Sequence, residues 1–128
     1  MTQKKLKLSV LEDLFTIHRF PANYDIPEQI YESKFCSISK TEDELSIVCN
    51  SSILLNSEET ETGWSCIKVL GPLDFSLTGI LADISAVLAK AEISIFALST
   101  FDTDYILVKS EQISFAKDAL LASGYTFK

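Results

Sequence analysis

The stretch "WSCIKVLGPLDFSLTGILADISAVLAKAEISIFALSTFDTDYILVKS", residues 64–110, decides the fold. Residues 64–70 alternate as a strand, and a glycine and a proline at 71 and 72 mark a loop. Apolar residues at three- and four-residue spacing then predict a helix over 78–90 with one buried face. Residues 94–100 and 104–110 indicate an antiparallel hairpin, with 94–100 as a central strand beside 64–70.

The remaining residues complete a known order of elements. Residues 112–122 have a helical apolar pattern that ends before Gly124, and 125–127 are typical of a short last strand. The order β-α-β-β-α-β belongs to the ferredoxin-like unit, an antiparallel sheet with two helices on one face. The sequence therefore predicts an α+β fold.

A weak internal repeat doubles this unit. "SISKTEDELSIVC" (37–49) aligns with "ALSTFDTDYILVK" (97–109) at an offset of 60, and "IHRFP" (17–21) aligns with "IKVLGP" (67–72) at an offset of 50. The first half has a shorter helical segment, at 26–33. We expect two ferredoxin-like halves, 1–62 and 63–128. Each leaves one sheet face uncovered, which predicts that the halves, or two subunits of a homodimer, cover one another.

Composition excludes several classes of partner. The chain has 128 residues, 47% of them hydrophobic, and a net charge of −7, which repels nucleic acid and anionic membranes. No apolar run approaches the roughly 20 residues of a membrane span, and no export signal is visible. The sequence predicts a soluble cytoplasmic protein.

Few residues favour catalysis or a cofactor. Cys36, Cys49 and Cys66 form no metal-binding pattern, and His18, the single histidine, is expected on the solvated face of an edge strand. A turn at 41–44 places Cys36 opposite Cys49, a register that permits a disulfide, whereas a reducing cytosol favours free thiols. The four glycines form no phosphate-binding loop, so we expect neither an enzyme nor a bound cofactor.

The hairpin tip has two interpretations. Asp102 and Asp104 are either an ordinary solvated turn or part of a site together with residues 74–81, which precede a helix N-terminus. Free N–H groups there favour a carboxylate, the aspartates favour an ammonium or a basic side chain, and Gly79 permits close approach of a ligand. Together these groups predict a pocket for an amino acid.

At this point "TGILA", "ISIFALST" and "FDTDYILV" resemble the ACT domain, an amino-acid-sensing regulatory module, and its tandem subfamily that includes cytosolic arginine sensors. The resemblance implies a non-catalytic module that binds a free amino acid between ACT units or subunits. In the sensors the aspartate matching Asp104 holds a guanidinium group, so a basic amino acid is among the candidates. The loop at 21–26 would supply the partner surface in a dimer. The implied ligand-binding residues are Leu77, Thr78, Gly79, Ile80, Leu81, Thr100, Phe101, Asp102, Thr103 and Asp104.

A second function stays open beside this one. The chain is then a regulatory subunit without a small-molecule ligand, and it docks on an unknown protein target through a sheet or helix face. An exposed apolar patch on the helix at 113–120 would favour that alternative.

Overall fold

The computed structural model describes residues 6–70 and 79–128. Over these residues the chain forms eight strands, two α-helices and two short 3-10 helices, at Glu28–Glu32 and Ser110–Gln112. The mixed α+β fold is therefore confirmed. The strands are β1 (Lys7–Val10), β2 (Phe15–Phe20), β3 (Ser37–Lys40), β4 (Leu45–Asn50), β5 (Glu59–Val69), β6 (Ile95–Ser99), β7 (Asp104–Lys109) and β8 (Thr126–Phe127), and the helices are α1 (Ile80–Lys90) and α2 (Ile113–Ala122).

The described chain divides into two compact units. The N-terminal unit comprises residues 13–64, and the C-terminal unit comprises 6–12, 65–70 and 79–128. Strand β5 contributes its first part to one unit and its second part to the other. The first described residues thus pack with the C-terminal unit, a grouping that differs from a simple division at residue 62.

The N-terminal unit has the strand order β3-β4-β2-β5, with neighbouring strands antiparallel. Lys40 pairs with Leu45, which confirms the hairpin predicted around 41–44. The predicted helix at 26–33 is a 3-10 helix of five residues, because Pro27 and the nearby start of β3 leave room for little more than one turn. The core of the N-terminal unit contains Phe20, Ile30, Leu45, Ile47 and Cys49.

The C-terminal unit has the strand order β6-β7-β5-β1-β8. Both predicted helices are confirmed, and Ile84, Leu88, Ala116 and Leu120 bury their apolar faces in one core. Gly124, with φ 101°, adopts the left-handed conformation that follows the end of α2.

One prediction about this sheet is wrong, and one strand was not predicted. Strand β6 is not a central neighbour of β5, because β7 lies between them and β6 pairs with β7 alone among the described strands. A right-handed crossover through α1 skips one position in the sheet, and the hairpin partner fills that position. Strand β1, which no sequence pattern indicated, pairs antiparallel with β5 and parallel with β8.

The two hairpins repeat at an offset of 59 residues rather than 60. Ser99 pairs with Asp104 as Lys40 pairs with Leu45, so each closing residue lies 59 positions after its counterpart. The predicted alignment matched acidic turn residues and was wrong by one position. A shift of one residue in a strand exchanges the two faces of the sheet, which makes the error consequential.

The predicted alignment of β2 with β5 was also wrong by one residue. Phe20 belongs to the core of the N-terminal unit and Val69 to that of the C-terminal unit, which gives an offset of 49 in place of 50. His18 therefore corresponds to Ile67, a fully buried core residue. The prediction of a solvated edge-strand histidine is wrong, since β2 lies between β4 and β5 and His18 is only 5% exposed.

The three cysteines are free thiols. Cys36 is half-buried, whereas Cys49 and Cys66 are buried. Burial raises the pKa of Cys49 to about 11 and that of Cys66 to about 12, so both remain protonated and unreactive near neutral pH.

Candidate functional site

The tip of the β6–β7 hairpin is a closed four-residue turn built around Thr100. Its backbone N–H donates to the carbonyl oxygen of Thr103 at 2.8 Å. Its hydroxyl donates to the same oxygen at 3.0 Å and accepts from the N–H of Thr103 at 3.3 Å. Thr41 makes the equivalent backbone bond in the other hairpin, to Glu44 at 2.9 Å. These bonds expose Phe101 and Asp102 at the apex, and Phe101 is 80% exposed.

A buried hydrogen bond joins this tip to the end of β5. The hydroxyl of Thr103 donates to the carbonyl oxygen of Val69 at 2.6 Å, and Thr103 is only 4% exposed. Val69 is the last residue of β5, where the chain leaves the sheet toward α1. The tip therefore lies beside the end of β5. Leu77 and Thr78, two predicted site residues, lie outside the described residues.

Asp104 begins β7 and is half-buried. The hydroxyl of Ser99, its cross-strand partner, donates to Asp104 Oδ1 at 2.6 Å. A hydrogen bond from a neutral donor to a carboxylate is short and strong, so it restricts the orientation of the acid. Sequence reasoning missed Ser99, because the predicted offset of 60 pairs residue 100 with residue 105 and so does not place Ser99 opposite Asp104.

Gly79 occupies the N-cap position of α1 with φ 80°, a left-handed conformation. Among the described residues, no atom other than those of Gly79 and its chain neighbours lies within 4 Å of where a Cβ would stand, so the backbone conformation favours glycine here. The side chains of Ile80 and Leu81 pack against the core. These two residues can therefore offer a ligand chiefly their N–H groups, which lack intrahelical acceptors in the first turn.

Asp83, also in the first turn of α1, is engaged elsewhere. Its Oδ2 accepts a hydrogen bond from the hydroxyl of Tyr125. Burial, followed by this contact with Asp83, raises the pKa of Tyr125 well above its usual range. Asp83 thus attaches α1 to Tyr125, the residue before β8. The carboxylates at the hairpin tip are those of Asp102 and Asp104.

The site offers negative charge and hydrogen-bond donors but no metal-binding cluster. Within residues 6–70 and 79–128, no group of three or more histidine, cysteine, aspartate or glutamate residues is arranged to hold a metal ion. Carboxylates at the tip suit an ammonium or guanidinium group, and backbone N–H groups at the start of α1 suit a carboxylate.

A histidine–serine contact lies apart from this site, within the N-terminal unit. His18 Nδ1 and Ser57 Oγ are 2.7 Å apart, a distance that a catalytic dyad requires. Within the part of the chain that the structure describes, however, His18 Nε2 is buried without a hydrogen-bond partner, and no acid orients the ring as a triad demands. The contact therefore lacks the features of a nucleophilic site.

No helix in the described residues is long and apolar enough to cross a membrane.

Comparisons with known proteins agree with this architecture. A family model for the ACT domain matches residues 59–122, and a model for an N-terminal domain matches residues 13–54. The chain is similar to the cytosolic arginine sensor for mTORC1 subunit 1 of Pongo abelii, with 33% identity over 123 residues. That match covers 88% of this chain and 37% of the relative, so the chain spans little more than a third of the relative's length.

Two solved structures extend the comparison. A crystal structure of a protein from Agobacterium tumefaciens has 36% sequence identity and a TM-score of 0.90, and the match covers 98% of this chain and 94% of that one. An aspartate kinase from Clostridium acetobutylicum has 14% identity and a TM-score of 0.64 over 90% of this chain and 35% of that one, a likeness of fold alone. The family match spans half of the chain and includes both helices and the hairpin of the candidate site. This protein belongs to the ACT domain family.

Proposed function

We propose that this chain is a non-catalytic regulatory ACT module that binds a free amino acid in its C-terminal unit. The ligand lies between the loop that precedes α1 and the tip of the β6–β7 hairpin. Membership of the ACT family and similarity to a protein named as an arginine sensor support this function. The relative's name also describes a cytosolic protein, and we propose a cytoplasmic location for this chain.

The observation that carries the proposal is the hydrogen bond from Thr103 to Val69. It is 2.6 Å long and buried, so it holds the hairpin tip beside the end of β5. Strand β7 also pairs with β5, and this hydrogen bond adds a buried attachment at the tip itself. The hydroxyl of Thr103 already donates to Val69, so Thr103 contributes by holding the hairpin tip in place rather than by contacting the ligand.

Each proposed contact uses a group with matching chemistry. The N–H groups at the start of α1, from Gly79 to Leu81, receive the carboxylate of the amino acid. Asp104, oriented by Ser99, receives the ammonium group or a basic side chain. Phe101, exposed at the apex, covers the aliphatic part of the ligand. We assign the remaining roles in the site to Leu77, Thr78, Thr100 and Asp102.

We further propose that a second copy of the chain completes the site. The loop at 21–26 exposes Tyr24 and Ile26, and the ring of Tyr24 stacks on Phe20 with centroids 4.4 Å apart. Stacking presents a rigid apolar surface, which favours an interface. The homodimer would place this loop of one copy over the hairpin tip of the other. Light scattering with and without the bound amino acid measures whether the dimer forms.

A thermal-shift screen against the twenty amino acids tests the proposed function. A ligand at 100 times its Kd stabilises the folded state by about 2.7 kcal/mol, a readily measured shift. We expect stabilisation by one amino acid or a small related set, and its loss in Asp104→Asn, which removes the charge at the tip. Asp118→Asn is the matched control, because Asp118 is an exposed acid on α2 of the same unit. Stabilisation by no amino acid, or its persistence in Asp104→Asn, contradicts the proposal.

One observation favours the alternative of a protein-interaction subunit. Phe115 and Leu121, both on α2, are 68% and 49% exposed. Large apolar side chains on an exposed helix suit a docking surface for a protein target. Under this alternative, Phe115→Ser with Leu121→Ser abolishes capture of the target while the amino-acid screen stays negative.

A further inference from the structure

Three hydrogen bonds that involve side chains join one segment of the N-terminal unit to the sheet, and one of them runs from the N–H of Ser52 to Asn50 Oδ1 at 2.9 Å. The segment, residues 51–58, connects β4 to β5 and is here called the β4–β5 segment. His18 Nδ1 lies 2.7 Å from Ser57 Oγ, and Thr16 Oγ1 lies 2.8 Å from Ser51 Oγ. In the C-terminal unit the corresponding part of the chain forms α2, but this segment contains neither helix nor strand.

Few other interactions hold the β4–β5 segment. Ile53 and Leu55 pack against the core, whereas Leu54 between them is 87% exposed. Backbone hydrogen bonds near its start join Ser51 to Leu14 at 2.9 Å and Ile53 to Asn50 at 3.0 Å. A segment with so little buried area opens at a lower free-energy cost than the strands beneath it.

His18 is poorly placed to carry a charge. Its Nε2 atom is buried and has no hydrogen-bond partner among residues 6–70 and 79–128. In the neutral ring, Nδ1 can either donate to Ser57 or accept from it, and one nitrogen remains without a proton. In the charged ring both nitrogens are donors, and Nε2–H would be buried without an acceptor, which is costly.

The described groups that face His18 offer no compensating charge. Ile47 of β4 and Thr60 of β5 lie directly opposite it. Phe20 of the same strand stacks on the imidazole with centroids 6.0 Å apart, a contact that favours the charged ring only weakly. The other groups on this side are uncharged: Thr16, Ile30, Leu45, the thiol of Cys49, Ser51 and Ser57.

The charged neighbours lie elsewhere. Arg19, next in sequence, points to the opposite face, where its Nη1 is 3.4 Å from Glu59 Oε2. Glu61 pairs with Ile17 on that same face, and Glu58, beside Ser57, is exposed to solvent. Burial without a facing carboxylate lowers the pKa of His18.

We propose that the His18–Ser57 contact is an acid-sensitive latch, which keeps the β4–β5 segment on the sheet at neutral pH and releases it when His18 is protonated. Opening gives the charged imidazole access to water and removes the need for a buried acceptor. Closing the segment requires the neutral ring. This regulation lies within the N-terminal unit and goes beyond the proposed amino-acid binding, on which it does not depend.

Two measurements on the unmodified protein test the latch. His18 is the single histidine, so its ring resonance in an NMR titration needs no assignment. We expect it to titrate below about 6.5, the ordinary pKa of histidine. Hydrogen exchange, corrected for intrinsic rates, should show a loss of protection of up to about tenfold in the β4–β5 segment between pH 7.5 and 5.5. The lower pH is about one unit below the ordinary pKa of histidine, so in the open segment protonated His18 outnumbers the neutral form about tenfold. Protection of α2 should not change.

The variant His18→Gln separates protonation from general acid loosening. Glutamine keeps a donor that can reach Ser57 but does not titrate, so the segment should stay equally protected at both pH values. A titration at or above pH 6.5, constant protection in the unmodified protein, or the same loss in His18→Gln would each overturn the proposal. If His18→Gln does not fold, the comparison of the segment with α2 in the unmodified protein still decides between the outcomes.

Discussion

The hydroxyl of Thr103 donates a 2.6 Å hydrogen bond to the carbonyl oxygen of Val69, which joins the hairpin tip to the last residue of β5. Hairpin tips are ordinarily attached to the rest of a domain only through their own strands. Here a buried side chain provides a further attachment, so the position of Asp102 and Asp104 follows from the end of a neighbouring strand.

Thr103→Val tests this attachment. Valine has the shape of threonine but leaves the buried oxygen of Val69 without its donor, which should lower the free energy of unfolding by about 1–3 kcal/mol. Urea denaturation measures the change. Thr126→Val, at an exposed position in β8, is the control and should change stability by less than about 0.5 kcal/mol. Equal effects of the two substitutions would contradict this role of the hydrogen bond.

Gly79 provides a test of backbone conformation alone. Because no neighbouring atom of the described residues lies within 4 Å of an added Cβ, Gly79→Ala should destabilise through its φ of 80°, by about 1–2 kcal/mol. Gly79→Asn should cost less, since asparagine tolerates the left-handed region. Thermal unfolding of both variants gives the comparison, and alanine and asparagine of equal stability would argue against a conformational cause.

The adjacent leucines of α2 form a matched pair. Leu120 is fully buried in the core of the C-terminal unit, so Leu120→Ala should lower the free energy of unfolding by about 2–5 kcal/mol. Leu121 is exposed on the same helix, and Leu121→Ala should have an effect within about 0.5 kcal/mol. Chemical denaturation of both proteins measures the difference. A large loss in Leu121→Ala would mean that another surface covers this side of α2.

Tyr125 predicts a particular response to alkaline pH. Its pKa is raised in the folded state, so the unfolded chain loses this proton first and stability should fall as pH rises above about 10. Tyr125→Phe should be less stable than the natural protein at pH 8, and the gap should narrow by pH 11. Urea midpoints at several pH values measure this effect. Tyr31→Phe, at an exposed position, should follow the natural protein throughout; a constant gap for Tyr125→Phe would contradict the prediction.

Thiol labelling distinguishes the three cysteines. Because Cys36 is half-buried while burial raises the pKa of Cys49 and Cys66, a disulfide reagent should modify Cys36 first in the folded protein. In denaturant all three should react. Recovery of a single reactive thiol in denaturant would instead indicate a disulfide between two of them.

Local patterns were sufficient for most elements of the fold. Apolar spacing predicted α1 and α2, the turn at 41–44 predicted the first hairpin, and the order of elements predicted the ferredoxin-like arrangement. Such features depend on neighbours within a few residues, because helical periodicity and turn chemistry are short-range properties. The acidic tip at 100–104 was visible in the same way.

The sequence by itself determined which segments form helices and hairpins, but only the tertiary structure decided which strands are neighbours and which faces are buried. Alternation in "FTIHRF" fits either face of a sheet. The pattern therefore did not reveal that His18 is buried at the position that corresponds to Ile67 in the C-terminal unit. Likewise, β7 lies between β5 and β6, and Val69 accepts a hydrogen bond from the hydroxyl of Thr103. Both features depend on contacts between residues that are distant in sequence. A strand has the same local preference wherever it pairs, and the choice of partner depends on burying apolar area across the whole unit.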